Sequence, residues 1–408
     1  DKRRRLVCKT DHATLRFCMQ YYIDNSVIGT DAHMNVRDDG FGWTGTIPED
    51  KWALGCKESS RNIESLAELF RTEITTFMSL PQAKFFASLG IQPKEIGWSK
   101  AIDAKVYRKT IEDLISGCSG IMEELQKSGY EKTYLNNQRF LKSLQGAHID
   151  ANRLERAMRL EEDGTQLTNL RSFKSSSGIA EKVVYNTTES STGRMKVKSG
   201  PKILTLKREH RSIVKSRFTN GEIVSIDYSS LEPRIALALQ GHSPKGDVYS
   251  WIDDSIFGGK LGRSTAKIMT LSIIYGMSIH AAGRKYGKIT NDQQKQLRSI
   301  FGIDEIEKLD AKYNAYGRPI YPDSDHKKFN AYVQSTAVDA AVLGFSKIYD
   351  MGCSEAVPLF MIHDELVCDV PEGYSKFLKH ILNDGITIDL LGKPANLEVK
   401  VEKFGECN

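Results

Sequence analysis

Two aspartates in this 408-residue sequence stand at the ends of short apolar runs, where a carboxylate can be held rigidly. Glu222-Ile223-Val224-Ser225-Ile226-Asp227 reads as a strand that delivers an acid at its end. Behind it, Ser229 and Ser230 can cap a helix whose first turn carries Glu232 and Pro233, and proline is tolerated there because first-turn amides lack partners. Farther on, Val357-Pro358-Leu359-Phe360-Met361-Ile362 and Leu366-Val367-Cys368-Asp369-Val370 flank the polar tip His363-Asp364-Glu365, which reads as a β-hairpin. Two adjacent acids without Gly, Asn or Pro are poor turn chemistry, and local rules are broken in this way at functional sites. Alone, Asp227 is more often a turn or cap residue than a metal ligand. Paired with Asp364 on a neighbouring strand, it can clamp two Mg²⁺ ions about 3.5–4 Å apart, the arrangement that activates a hydroxyl and stabilises a leaving pyrophosphate.

Between the two acids, Arg263, Lys267, Leu271 and Tyr275 are spaced four apart. On a helix this spacing makes one face that drifts by about 40° per step. Arg263 and Lys267 can hold a triphosphate, with Leu271 and the Tyr275 ring beneath a sugar and a base. Taken pair by pair, the same pattern also fits a surface helix whose long cations snorkel.

Elements must position these groups, and the chain is long enough for two or three domains. Hydrophobic residues make up 40% and charged residues 27%, which excludes a mostly disordered chain. The formal charge of +5 permits an anionic partner without demanding one. Seven cysteines without a CxxC pair exclude a disulfide framework or a zinc module and fit a reducing compartment. The absence of a spanning run or signal pattern predicts a soluble intracellular protein with no membrane partner, whether in a phage-infected cell, a plasmid host or an organelle. Since the chain opens with Asp1, an upstream segment is compatible with the sequence, and Lys2, Arg3, Arg4 and Arg5 read as a solvated basic terminus.

Residues 25–52 look strand-like, with Ser26-Val27-Ile28-Gly29 and Phe41-Gly42-Trp43-Thr44-Gly45 as the apolar pieces. Amphipathic helices are predicted over 63–77 and 84–89, so that residues up to about 145 form a separate α/β unit. Helices follow Asp150, Lys174 to Gly178 is a loop, and 187–200 continues as a Ser/Thr/Gly/Lys-rich loop before the basic run Leu206-Lys207-Arg208-Glu209-His210-Arg211. Basic side chains on such segments suit phosphate contacts, and a solvated loop fits them equally well.

Asp227-Tyr228-Ser229-Ser230-Leu231-Glu232-Pro233-Arg234 resembles the first polymerase motif of family A DNA polymerases, usually written DYSQIELR. Arg263-x3-Lys267-x7-Tyr275-Gly276 is similar to the second and His363-Asp364-Glu365 to the third. Thr192-Gly193-Arg194 resembles the family's TGR element, and Asn330-x3-Gln334-x-Thr336-Ala337 its NxxxQGTA helix. The five matches fall in order over 146–408.

The resemblance implies an α/β (α+β) right-hand polymerase with a thumb at about 146–190, a palm at about 191–250 and 320–408, and fingers at about 251–319. It implies template-directed DNA synthesis as a monomer, with primer–template DNA and dNTPs as partners and Mg²⁺ as the cofactor, for which Mn²⁺ can substitute. Asp227, Asp364, the backbone carbonyl of Tyr228 and, as a further candidate, Glu365 would hold the metals. Lys267 would pass a proton to pyrophosphate, and Glu232 would exclude a ribose hydroxyl. Arg194, Asn330, Gln334 and His363 would touch the DNA, where minor-groove acceptors are shared by all base pairs. Leu271 stands where most relatives carry Phe or Tyr, which puts nucleotide discrimination in question. The stretch between Gly146-Ala147-His148-Ile149-Asp150, similar to the family's GxxID element, and Thr192 is short, so the thumb should be small and a processivity or replisome partner is expected.

Residues 1–145 carry faint likeness to an RNase H-like proofreading exonuclease domain. Asp31-Ala32-His33 is placed where a strand bearing DxE would be, with Gln82 and Ser99 at two other acid positions. One surviving acid cannot build a metal pair, so no proofreading is expected. An unrelated α/β module, a single-subunit RNA polymerase, and a catalytically inactive nucleic-acid-binding protein are the competing readings.

Overall fold

A computed structural model describes residues 20–56, 59–74, 80–91, 97–277, 281, 284, 290–309 and 311–405. The basic cluster from Lys2 to Arg5 and the end of the helix expected over 63–77 lie outside these residues. The chain forms two compact units, Asp1–Glu131 and Lys132–Asn408. The division falls upstream of the expected boundary near 145 because Phe140, Leu141 and Leu144 join the core of the second unit.

In the first unit, β1 (Tyr21–Ile23) is flanked by β2 (His33–Arg37) and β3 (Gly40–Thr44) on one side and β4 (Trp52–Leu54) on the other. β1 pairs antiparallel with β2 and parallel with β4. All three residues of β1 are buried, so the central strand shows no alternation of polar and apolar positions. Ser26 and Val27 lie in a helix and not a strand: α1 (Asn25–Ile28) starts at Asp24, whose carboxylate accepts from the Ser26 amide, and stops at Gly29 in a left-handed conformation. Asp31 therefore sits on an exposed bend, and the acid that follows the central strand is Asp24. α2 (Ile63–Leu69) begins where expected and ends at the Phe70 cap, and α3 (Leu80–Ser88) covers most of the second predicted helix. After the short α4 (Trp98–Ala101), α5 (Ala104–Ser128) buries Ile111, Leu114, Cys118, Ile121, Met122 and Leu125, a stripe at helical spacing. Among the described residues no helix is long and apolar enough to cross a membrane.

The second unit opens with α6 (Glu131–Ser143), the short β5 (His148–Ile149), α7 (Ala151–Leu160) and α8 (Gly164–Arg171). The segment read as a loop over 187–200 is the far side of a hairpin, β6 (Val184–Asn186) against β7 (Lys196–Ser199), and part of the basic run is a short 3₁₀ helix, Arg208–Ile213. β8 (Val214–Lys215) pairs with β5. A four-stranded antiparallel sheet carries the chemistry, with β9 (Glu222–Tyr228) between β11 (Glu365–Val370) and β14 (Val399–Lys403), and β10 (Val357–Ile362) at the edge beside β11. β12 (Ile386–Leu390) and β13 (Lys393–Leu397) form a separate hairpin.

Helices α9 (Leu231–Leu239), α10 (Val248–Ile252), α11 (Arg263–Ile274), α12 (Asn291–Ile300) and α13 (Ile303–Lys308) lie along the chain between β9 and α14 (Lys328–Lys347). α14 is buried along most of its length and backs β9 closely. The Tyr228 ring packs 4.6 Å from Phe345, its hydroxyl donates to the Ala341 carbonyl, and it lies where a side chain at Gly344 would project. α15 (Tyr374–Ile381) lies between β11 and β12 in the chain.

One buried ion pair ties several segments together. Asp339, fully buried on α14, accepts from Arg318 at 2.9 and 2.8 Å, from Asn314 at 2.9 Å and from Asn137 at 3.0 Å. Arg318 also donates to the Thr187 carbonyl at 2.8 Å and lies against Gly193, whose φ is +73° and whose added Cβ would stand 2.7 Å from the guanidinium carbon. Gly193 thus meets two requirements that only glycine satisfies. Removing one partner strands a buried charge, so Asp339→Ala should cost about 3–5 kcal/mol in urea unfolding. A loss under about 1 kcal/mol would show that the network is dispensable.

Candidate active site

Asp227 and Asp364 stand at the same end of adjacent strands. Glu365 is the register partner of Asp227 across the β9–β11 ladder, and the Tyr228 amide donates to the Asp364 carbonyl at 3.3 Å. The hairpin turn between β10 and β11 is reached through His363 at φ +58°, a left-handed conformation that histidine adopts more often than most residues. The acidic tip read from sequence is therefore a tight turn built on a strained residue.

Crowding of like charge marks this tip. Loss of water pushes the Asp227 carboxyl up, and the charges of Asp364, Glu365 and Glu402 raise it further, to about 7, while Arg208 opposes them. Asp364 is also raised, first by loss of water and then by Glu232 and Glu365, with His363 acting the other way. Glu365 is engaged separately: Arg211 donates to it at 3.3 and 3.5 Å and stacks over the Phe404 ring at 5.0 Å. Of the three acids at the tip, Glu365 thus already has a cation. Asp227 and Asp364 remain as hard oxygen donors whose anionic forms are disfavoured by burial and by neighbouring acids, a donor set that suits a divalent cation.

A second cluster surrounds Glu232 in the first turn of α9. Its carboxylate accepts from Tyr275 at 2.7 Å, from Arg194 at 3.2 Å and from Gln334 at 3.3 Å. Four residues singled out in the sequence thus meet from α9, α11, α14 and the chain leading into β7. Tyr275 is pushed up to about 12 by loss of water and by Glu232. Ser230 begins this helix as expected, but in a left-handed conformation (φ +58°) and without a side-chain capping bond. Arg234, buried in α9, donates to the carbonyls of Ser229, Pro244 and Gly246 and to Glu398 at 2.7 Å, and so fixes the turn after Asp227.

The face predicted for α11 is present. Arg263, Lys267 and Tyr275 are exposed and Leu271 is half-buried, while Ala266, Met269, Thr270, Ile273 and Ile274 face the core. Arg263 pairs with Asp247 at 2.8 Å, and both Arg263 and Lys267 lie about 6 Å from the centre of the Tyr249 ring, at 5.9 and 5.8 Å. Asp247 also caps α10. Asn330 is half-buried, with its Oδ1 lacking a hydrogen-bond partner among the described residues, and His363 is exposed. Asn330 joins neither cluster through a hydrogen bond or ion pair among the described residues, whereas His363 adjoins the acidic pair and acts on Asp364. Sequence reasoning placed Arg211 in the basic run and Arg234 in the first motif without finding their partners. It missed Asp247 and Tyr249, for which the local signal was Asp247 standing before an apolar helical turn, a capping pattern.

No protein-family profile matches the chain. In sequence it is similar to the thermostable DNA polymerase I of Thermus filiformis, 24% identical over 268 residues, which covers 53% of this chain and 31% of that protein. The chain thus spans about a third of the length of that relative. In fold it is similar to the POL domain of Pol1 from M. smegmatis, solved in complex with DNA primer-template and dNTP, with a TM-score of 0.61, 16% identity and 92% of each chain covered. That share exceeds what the second unit alone could supply. The fold is therefore that of a polymerase POL domain, the right-hand class expected from the motifs. Both similar proteins are of the polymerase I type, the type that the five motifs resemble.

The raised Asp227 carboxyl has a testable sign. Its ordinary value is about 3.9, so its favourable contribution is fully present below about pH 4 and is lost as pH rises to about 7. Asp227→Asn removes the titrating charge. In the absence of divalent ions, the melting temperature of the variant should exceed that of wild type by a margin that widens between about pH 4 and 7 and then levels off. A margin independent of pH would show that the carboxyl is not crowded.

Proposed function

We propose that this chain is a DNA-directed DNA polymerase that adds dNTPs to a primer 3′ end with release of pyrophosphate. The observation that carries the reading is the placement of Asp227 and Asp364 at one end of adjacent strands, where loss of water raises the proton affinity of both and Asp364 raises that of Asp227 further. When bound, a pair of Mg²⁺ ions would activate the primer hydroxyl and offset charge on the leaving group. Asp227, Asp364 and the Tyr228 carbonyl are the residues that would hold them. Arg211 neutralises Glu365, so that this acid's negative charge is balanced within the protein.

Arg263 and Lys267 project from the exposed face of α11 and would bind the triphosphate, with Lys267 giving a proton to pyrophosphate. Tyr275 and Leu271 would lie under the base and sugar. Glu232 would bar a 2′-hydroxyl, and Arg194, Gln334 and Asn330 would read the shape of the minor groove. Glu232 engages Arg194, Tyr275 and Gln334, which ties these residues to its position. The thumb, palm and fingers would follow the residue ranges derived from the motifs. The first unit would be an exonuclease-like domain without activity, since its one acid at the end of β1, Asp24, is followed two residues later by Ser26 and is occupied in capping α1.

Primer extension on DNA and RNA templates, with dNTPs and with rNTPs, tests the proposal. Wild type should extend DNA primers with dNTPs, and Asp364→Ala should lower the rate by a factor on the order of 10³ or more. Failure of the wild type to extend, or an unimpaired variant, would refute it, and a preference for rNTPs would favour the RNA polymerase alternative. Leu271→Phe should change the ratio of dideoxynucleotide to deoxynucleotide incorporation without altering the melting temperature, and an unchanged ratio would remove Leu271 from nucleotide selection.

A further inference from the structure

The β6–β7 hairpin carries a feature that the proposed activity does not account for. From Arg194 to Lys198 the chain alternates between exposed and covered residues, with Arg194, Lys196 and Lys198 outward and Met195 and Val197 inward. Three exposed cations thus recur at two-residue spacing, a step of about 6.6 Å along an extended chain. That step is comparable to the distance between successive phosphates of one nucleic-acid strand. Lys196 is held at 3.0 Å by Glu189, and Lys198 makes no hydrogen bond or ion pair among the described residues.

The hairpin is bent and fixed. Val184 pairs with Ser199 and Tyr185 with Val197, so Lys198 is the extra, unpaired residue of a bulge, which increases strand twist. Tyr185 locks the hairpin to the reaction centre: its hydroxyl donates to the Met361 carbonyl at 2.7 Å and accepts from the Met361 amide at 3.0 Å. Met361 lies three residues before Asp364 on β10. At the other end, Gly193 lies against Arg318 of the buried network. The row of cations therefore starts at Arg194, beside Glu232, and runs outward along a strand that does not move independently of the paired aspartates.

We infer that Lys196 and Lys198 form a phosphate-tracking ladder that grips the sugar–phosphate backbone of one strand of the primer–template duplex, continuing outward from Arg194. The inference rests on the polymerase reading only for the identity of the ligand as that duplex. Each lysine contacts one phosphate, and Lys196 exchanges Glu189 for it. Such contacts add affinity without sequence preference, because each releases condensed counterions whatever the base.

Lys196→Gln/Lys198→Gln tests this by fluorescence anisotropy on a primer–template duplex between 50 and 200 mM KCl. The slope of log affinity against log salt should fall by about 1.8, that is about 0.9 for each of two lost phosphate contacts. In primer extension the loss should fall on the KM for duplex and not on kcat. The charge-retaining Lys196→Arg/Lys198→Arg variant should restore the slope, which separates charge from folding. An unchanged slope in the Gln variant, no recovery in the Arg variant, or a loss confined to kcat would overturn the ladder. If wild type extends no primer, the proposed activity fails, yet the slope on the same duplex still decides whether the lysines bind phosphate.

Discussion

Two carboxylates held side by side at one end of a sheet repel each other, and the second unit is arranged around that repulsion. Among the described residues neither acid forms an ion pair with a basic side chain, whereas Glu365, opposite Asp227 in the ladder, is paired with Arg211. A protein built only for stability would neutralise all three or bury none. Leaving two of them crowded and without a cationic side chain creates a place where a cation is worth more than it is in water.

The rest of the unit reads as rigid mounting for this pair. Arg234 clamps the turn after Asp227, Tyr185 pins the strand that leads to Asp364, and Tyr228 anchors β9 to α14. Behind them, the Arg318–Asp339 pair joins α14 to Thr187 and Asn137. Such fully hydrogen-bonded buried charges add less to stability than to uniqueness of arrangement. Their location, all within reach of the chain around the site, is where uniqueness matters.

Much of the site was legible because its chemistry lies on short contiguous segments. An apolar run ending in an acid, a hairpin with an acidic tip and cations four apart each state their geometry locally, and the structure brings Asp227, Asp364, Glu232, Arg194, Tyr275 and Gln334 into two adjoining clusters. What was not legible depends on distant partners. Arg211 and Glu365 are 154 residues apart, and nothing near either predicts the other. In the first unit, Val27 and Ile28 suggested a strand because a short apolar run does not distinguish strand from helix. Asp24 and Gly29, a cap at each end, carried the better signal. Reading the acid at Asp31 followed from that error, since the true central strand is buried on both faces and shows no period.

Gly344 shows how tightly the paired acids and the scaffold are joined. The hydroxyl of Tyr228, the residue after Asp227, occupies the space a methyl group would need at this point of α14. A substitution there would push on the ring, and the ring is bonded to the strand that ends in the acid. The size of one helix residue therefore bears on where a carboxylate stands, and tolerance at that position is governed by a ring on the neighbouring strand.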